Sequence, residues 1–157
     1  MAKLLTVSVA AFNVEKFIEN TLQSLSDERY VDKLEVFVID DGGRDKTLEI
    51  ARTFESRFPN TFHAVHKENG GYGSTVNYSI AHATGKYFKL LDGDDWFDCD
   101  GLASVLERLE NYEEDVIITD YYKGQSKESL AIMPMRKEDC RVVKVNEYKT
   151  NFPYGMW

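Results

Sequence analysis

Two hydrophobic periods alternate along the first 120 residues. Leu4 to Val9 is short and rich in β-branched residues, which predicts a buried strand. From Val14 the inward positions fall at Val14, Phe17, Ile18, Thr21, Leu22 and Leu25, the spacing of a helix packed on one face, with Asn13 placed as its N-cap. The unit then repeats. LEVFVI at 34–39 is a continuous apolar run, as in a strand covered on both faces, and Asp40-Asp41-Gly42-Gly43 breaks it as a turn. Leu48, Ala51, Phe54 and Phe58 form a second helical stripe, stopped by Pro59-Asn60. Thr61 to His66 predicts a third strand, KENGGYGS a glycine-rich loop, Thr75 to Ala83 a third helix and Tyr87 to Leu91 a fourth strand. After Asp92-Gly93-Asp94-Asp95, the positions Leu102, Val105, Leu106 and Leu109 predict a fourth helix, and VIIT at 116–119 a fifth strand.

Strict alternation of strand and helix implies an α/β fold: a mostly parallel sheet with helices on both faces and right-handed crossovers. Beyond Tyr122 the pattern weakens to short strands at Leu130 to Met133 and Val142 to Val145. Residues 1–122 are therefore expected to form the core and 123–157 the start of a second region. The aromatic last segment, NFPYGMW, is a poor composition for a solvated terminus and suggests a chain that continues into a larger protein.

Composition narrows the classes. At 157 residues there is room for one core, and no stretch approaches the roughly 18 apolar residues of a membrane span. A formal charge of -8, without a local basic patch, argues against nucleic acid as a partner. Cys99 and Cys140 form no CxxC pair and have no histidine at metal-ligand spacing, which fits a reducing, cytoplasmic setting better than a disulfide framework or a zinc site. MAKLLTVSVAAF resembles the charged and apolar regions of a signal peptide, but it leads straight into a patterned helix instead of a cleavage site.

In an open α/β sheet ligands bind beyond the carboxyl ends of the strands. The unusual residues of this chain cluster in those turns: Phe12-Asn13, Asp40 to Gly43, Asn69 to Ser74 and Asp92 to Asp95. Carboxylates as close as Asp92, Asp94 and Asp95 repel one another unless a cation is present, and oxygen ligands at this spacing suit Mg²⁺ or Mn²⁺ shared with substrate phosphates. Asp41, closing a buried strand, can accept a hydrogen bond from a base or ribose, or form an Asx turn with Gly42. The glycines of GGYGS let backbone N–H groups approach a ligand. That loop is neither a P-loop nor a dinucleotide fingerprint, and Trp96 at the first position excludes an EF-hand over Asp98 to Glu107. No partner is evident for His63, His66 or His82, which read as structural.

Together these segments resemble the family 2 glycosyltransferases of the GT-A fold, a Rossmann-like nucleotide-diphospho-sugar transferase architecture, over about residues 4–120. VSVAAFNVEKFI is similar to the family's first strand and turn, EVFVIDDGGRDKT to its second, and NGGYGSTVNYSIAHATGKYFKLLDGDD to its sugar-nucleotide loop, helix and DxD motif. The resemblance implies metal-dependent, inverting transfer of a sugar from a nucleoside diphosphate sugar, by default a UDP-sugar, to an acceptor hydroxyl in polysaccharide or cell-wall biosynthesis. It implies nucleotide-sugar contacts by Ala10, Phe12, Asn13, Asp41, Asn69, Gly70, Gly71, Asp92 and Gly93. Asp94, with Asp92, would be the Mg²⁺ or Mn²⁺ ligand. The acceptor, whether glycan, lipid or protein, is left open, and so is peripheral contact with a membrane. Ala10 stands where the family often has Pro or Thr, Phe12 replaces Tyr, and Gly43-Arg44 replaces Ser-Thr. Nothing after Asp120 matches the family's catalytic carboxylate, so the general base is expected beyond Trp157. The competing classes are a noncatalytic nucleotide-binding or assembly module, and a phosphoryl-transfer domain with an acidic Mg²⁺ site. Against the latter, Asp95-Trp96 follows Asp94 where a phosphatase of that kind needs Thr or Val.

Overall fold

The structure, a computed structural model, describes residues 2–124 and 130–133. The chain divides into two compact units, the first ending at Tyr112. In that unit β1 (Leu5–Ala11), β2 (Leu34–Asp41), β3 (Phe62–Lys67) and β4 (Tyr87–Asp92) form one sheet in the order β3-β2-β1-β4, with every pair parallel. Four helices accompany them: α1 (Ile18–Gln23), α2 (Thr47–Arg57), α3 (Tyr72–His82) and α4 (Cys99–Leu109).

Burial explains the order. β2 is buried at all eight positions and β1 at six of seven, as interior strands of a covered parallel sheet must be, and these are the two most uniformly apolar runs in the sequence. The faces separate by residue parity. Val36 pairs with Phe62, whose ring meets Phe54 of α2 at 5.6 Å between centroids, so one face carries α2, and α1 packs beside it. Ser8 and Phe37 pair on the other face, where Ser8 donates to Ser79 of α3 at 2.7 Å and Phe37 meets Tyr78 edge-on. Helices thus cover both faces, as the alternation predicts. Successive units place β2 and then β3 on one side of β1, whereas β4 falls on the other, so the order of strand placement reverses between β1 and β4.

Several expectations need correction. The first helix does not start behind an Asn13 cap: Asn13 has φ +54°, a left-handed conformation, and α1 begins only at Ile18, with Phe17 before it. Phe17, expected on the buried stripe, is exposed. Asp40 and Asp41 belong to β2 instead of to the turn, and α3 starts three residues early, at Tyr72. VIIT at 116–119 forms no strand. In the second unit, β5 (Tyr121–Lys123) pairs antiparallel with β6 (Ala131–Met133), within the segment expected at 130–133. The strand expected at Val142 to Val145 lies outside the described residues, as does Cys140. No described helix is long and apolar enough to cross a membrane.

Candidate functional site

The reversal between β1 and β4 opens a crevice at the carboxyl edge of the sheet. A cleft of about 360 Å³ occupies it, and all four strand-end turns contribute to its lining. Ala10, Ala11, Phe12 and Val14 form an apolar wall; Asp41, Asn69, Gly71, Tyr72 and Thr75 lie on the α3 side; Asp92, Gly93 and Asp94 form the acidic rim. Of the sequence-predicted residues, Ala10, Phe12, Asp41, Asn69, Gly71, Asp92, Gly93 and Asp94 line it. Asn13 and Gly70 do not. The Asn13 Oδ1 instead accepts from the Arg44 N–H at 2.9 Å and ties the first turn to the second.

Asp41 is the best-held group of the site. Parity aims it at the start of α3, and its partner in register on β3 is Lys67. Lys67 Nζ lies 2.5 Å from Oδ1, the Gly70 N–H donates to Oδ1 at 3.0 Å, and the Gly71 N–H donates to Oδ2 at 2.8 Å. Burial opposes ionisation of Asp41, but the Lys67 ammonium and the two glycine N–H groups outweigh it and hold the carboxyl below its ordinary value. The N–H groups of the glycine loop, which the sequence suggests for a ligand, are thus turned onto Asp41. Gly71, at φ +78°, makes this geometry at the N-terminus of α3, where a negative charge is also favoured by the helix dipole. Asn69 donates from Nδ2 to the Asp41 carbonyl at 2.8 Å.

The opposite rim is acidic. Asp92, Asp94 and Asp95 are exposed, and the Asp95 N–H donates to the Asp92 carbonyl at 3.0 Å to close the turn. Partial burial, and then the charges of Asp94 and Asp92, push the Asp95 carboxyl above the usual carboxylate range. Tyr72 of α3 lines the cleft together with Asp92, and burial and then that carboxylate push the phenol above its ordinary value. Among the described residues no group of three or more His, Cys, Asp or Glu side chains is arranged to hold a metal by itself. The acidic residue at 98 is structural: Asp98 caps α4, its Oδ1 accepting from the Gly101 N–H at 2.7 Å.

Sequence reasoning missed Lys67 and Tyr72. The first becomes visible only once register pairs it with Asp41, and the second lay inside the quoted loop without a partner to mark it. The histidines do have partners. His66 Nδ1 is 2.6 Å from Asp40 Oδ2, His63 packs on Phe37, and His82 stacks on Tyr78.

A parallel sheet of this order, with a cleft at the switch point, defines a Rossmann-like α/β domain. The family profile described as Glycosyl transferase family 2 matches residues 6–154, and the chain belongs to that family. Its relatives include a Bacillus subtilis (strain 168) protein described as "Uncharacterized glycosyltransferase EpsJ", 30% identical over 100% of this chain and 47% of the relative. Another is glycosyltransferase GlyA of Streptococcus pneumoniae serotype 4, 27% identical over 80% of this chain and 18% of the relative. Among solved structures, S. aureus TarS in complex with UDP-GlcNAc superposes with a TM-score of 0.59 at 26% identity, over 69% of this chain and 31% of that one. The mannosyltransferase PcManGT of Pyrobaculum calidifontis, in complex with GDP-Man and Mn²⁺, gives 0.57 at 29% identity, over 68% and 32%. The chain therefore spans less than half the length of each of these proteins.

Proposed function

We propose that this chain forms the donor-binding part of an inverting glycosyltransferase, which moves a sugar from a nucleoside diphosphate sugar to an acceptor hydroxyl. The observation that carries the reading is the cleft at the β1/β4 switch point, where an apolar and aromatic wall faces an acidic rim. Such a site accommodates a base and ribose at one end and a charged diphosphate at the other. The ligands named for TarS and PcManGT, UDP-GlcNAc and GDP-Man, support a nucleotide sugar as the donor.

In this reading Phe12 packs on the base, while Asp41, braced by Lys67, offers what remains of its acceptor capacity to a base or ribose donor. Asn69 and Gly71 line the same end of the cleft. Ala10 and Gly93 are small and leave room for the diphosphate beside the rim. Asp92 and Asp94, in no group of three that could cage a metal among the described residues, still make a good half-site, because Mg²⁺ usually takes one or two carboxylates together with substrate phosphates. Asp94 and Asp92 would hold such an ion, Mg²⁺ or Mn²⁺, and its chemistry there is to neutralise charge on the departing diphosphate. In the transfer, the acceptor oxygen bonds to the anomeric carbon, the bond from that carbon to the diphosphate oxygen breaks, and the acceptor proton passes to a base. No described residue is assigned that base.

Titration calorimetry of UDP, GDP and dTDP, with and without Mn²⁺, tests the reading on this chain and on Asp94→Ala. The expected result is binding of one nucleotide that Mn²⁺ strengthens and Asp94→Ala weakens at least tenfold. A folded chain that binds none of the three would remove the proposal.

A further inference from the structure

The Asp92-Gly93-Asp94 turn carries two exposed carboxylates, so its shape depends on how its backbone is held. Contacts from two other elements hold it. The Gly93 N–H donates to the Ala10 carbonyl of β1 at 3.0 Å, and the Gly93 carbonyl accepts from Thr21 Oγ1 of α1 at 2.9 Å. The approach is close: a Cβ on Gly93 would stand 2.9 Å from both the Ala10 oxygen and Val14 Cγ2.

Thr21 is the informative member. It is fully buried, and in a helix a threonine hydroxyl normally turns back to the carbonyl four residues before it. Here that carbonyl, of Phe17, is 3.5 Å away, the outer limit of a hydrogen bond, whereas Gly93 is at 2.9 Å. Valine would fill the same volume on α1, so packing does not account for the hydroxyl. A buried carbonyl in need of a donor does.

We propose that Thr21 is a positioning residue for this turn, fixing its backbone from α1. It sets the geometry in which Asp92 and Asp94 meet a metal-bound diphosphate; that last clause rests on the donor-binding reading, and the rest does not. Thr21 does not touch the reacting atoms.

Amide hydrogen exchange and calorimetry on this chain, Thr21→Val and Thr21→Ser test it. Thr21→Val is expected to speed exchange at Gly93 and Asp95 about tenfold while Val36 and Val38 of β2 stay unchanged, and Thr21→Ser to remain within about threefold of wild type. Thr21→Ala replaces Thr21→Val if the latter does not fold. With UDP as probe, Thr21→Val should weaken Mn²⁺-dependent affinity about tenfold and leave Mn²⁺-free affinity within about twofold. Unchanged exchange at Gly93 and Asp95 overturns the positioning role even if nucleotide binds normally. Local exchange that changes as expected in a wild-type chain that binds no nucleotide overturns instead the donor-binding reading and the functional clause attached to it.

Discussion

Asp41 shows how a site residue can be legible in type and not in circumstance. A carboxylate ending an apolar strand at the sheet's carboxyl edge is a conspicuous polar intrusion, and the cleft does form against it. What the sequence could not show is that four donors already engage it, because the Gly70 and Gly71 N–H groups and the Ser74 hydroxyl come from the loop and first turn of α3, about 30 residues away, and Lys67 from the next strand in register. The pair has a measurable consequence. Lys67→Met leaves a carboxylate whose side chain is 6% exposed with two backbone donors and the Ser74 hydroxyl but no cation, and should lower stability by about 1–3 kcal/mol in urea unfolding at neutral pH. Adding Asp41→Asn should cost less than the sum of the single variants, since the charge that needed Lys67 is gone. Strict additivity would mean that the two side chains do not interact. The same logic separates Asp40 from Asp41. Neighbours in sequence on opposite faces of β2, one pairs with His66 and accepts from the Gly43 N–H, the other organises the α3 loop.

Helices and strands were readable wherever the local pattern contained its own reason. β1, β2, α2 and α4 lie close to where periodicity puts them, because burial on one stripe or on both faces is written residue by residue. α1 fails at its start, since Asn13 adopts a left-handed conformation and gives its side chain to Arg44, a partner 31 residues away. VIIT fails as a strand because a ladder needs a neighbour, and four apolar residues do not specify one. α3 is the element whose attachment matters most to the cleft, and its anchor is polar: Ser8 and Ser79 hydrogen-bond at 2.7 Å where both are buried. Ser8→Ala or Ser79→Ala alone should each cost about 1–2 kcal/mol in chemical denaturation by leaving one hydroxyl unpartnered, whereas the double variant should recover much of that loss. If the double variant is as unstable as the two losses added, the hydrogen bond is not what joins α3 to β1.

For the molecule as a whole, acidity is built into both ends of the sheet. With a formal charge of -8, the fold keeps buried carboxylates ionised by surrounding them with donors. At the carboxyl edge this is Asp41. At the opposite edge it is Glu35, which accepts from the Thr6 hydroxyl at 2.7 Å and from the Thr84 hydroxyl and N–H at 2.7 and 2.8 Å. Burial resists ionisation of Glu35, but these donors prevail and lower its pKa, as they do for Asp41. A carboxyl that titrates lower in the folded chain than in the unfolded one leaves the unfolded state binding more protons between the two values, so stability falls as pH falls. The contribution is complete above the unfolded values of about 4 and disappears as pH drops through the folded ones. Thermal melts between about pH 7 and pH 3 should therefore show wild type losing stability steeply below about pH 4. Glu35→Gln should be less stable than wild type at pH 7, because an amide cannot accept all three donors as well, and the gap should narrow below about pH 4 as the Glu35 carboxyl takes up a proton in the unfolded chain. Curves that run parallel across the range would mean that Glu35 is not ionised in the fold, and that the donors around Thr6 and Thr84 serve a neutral acid.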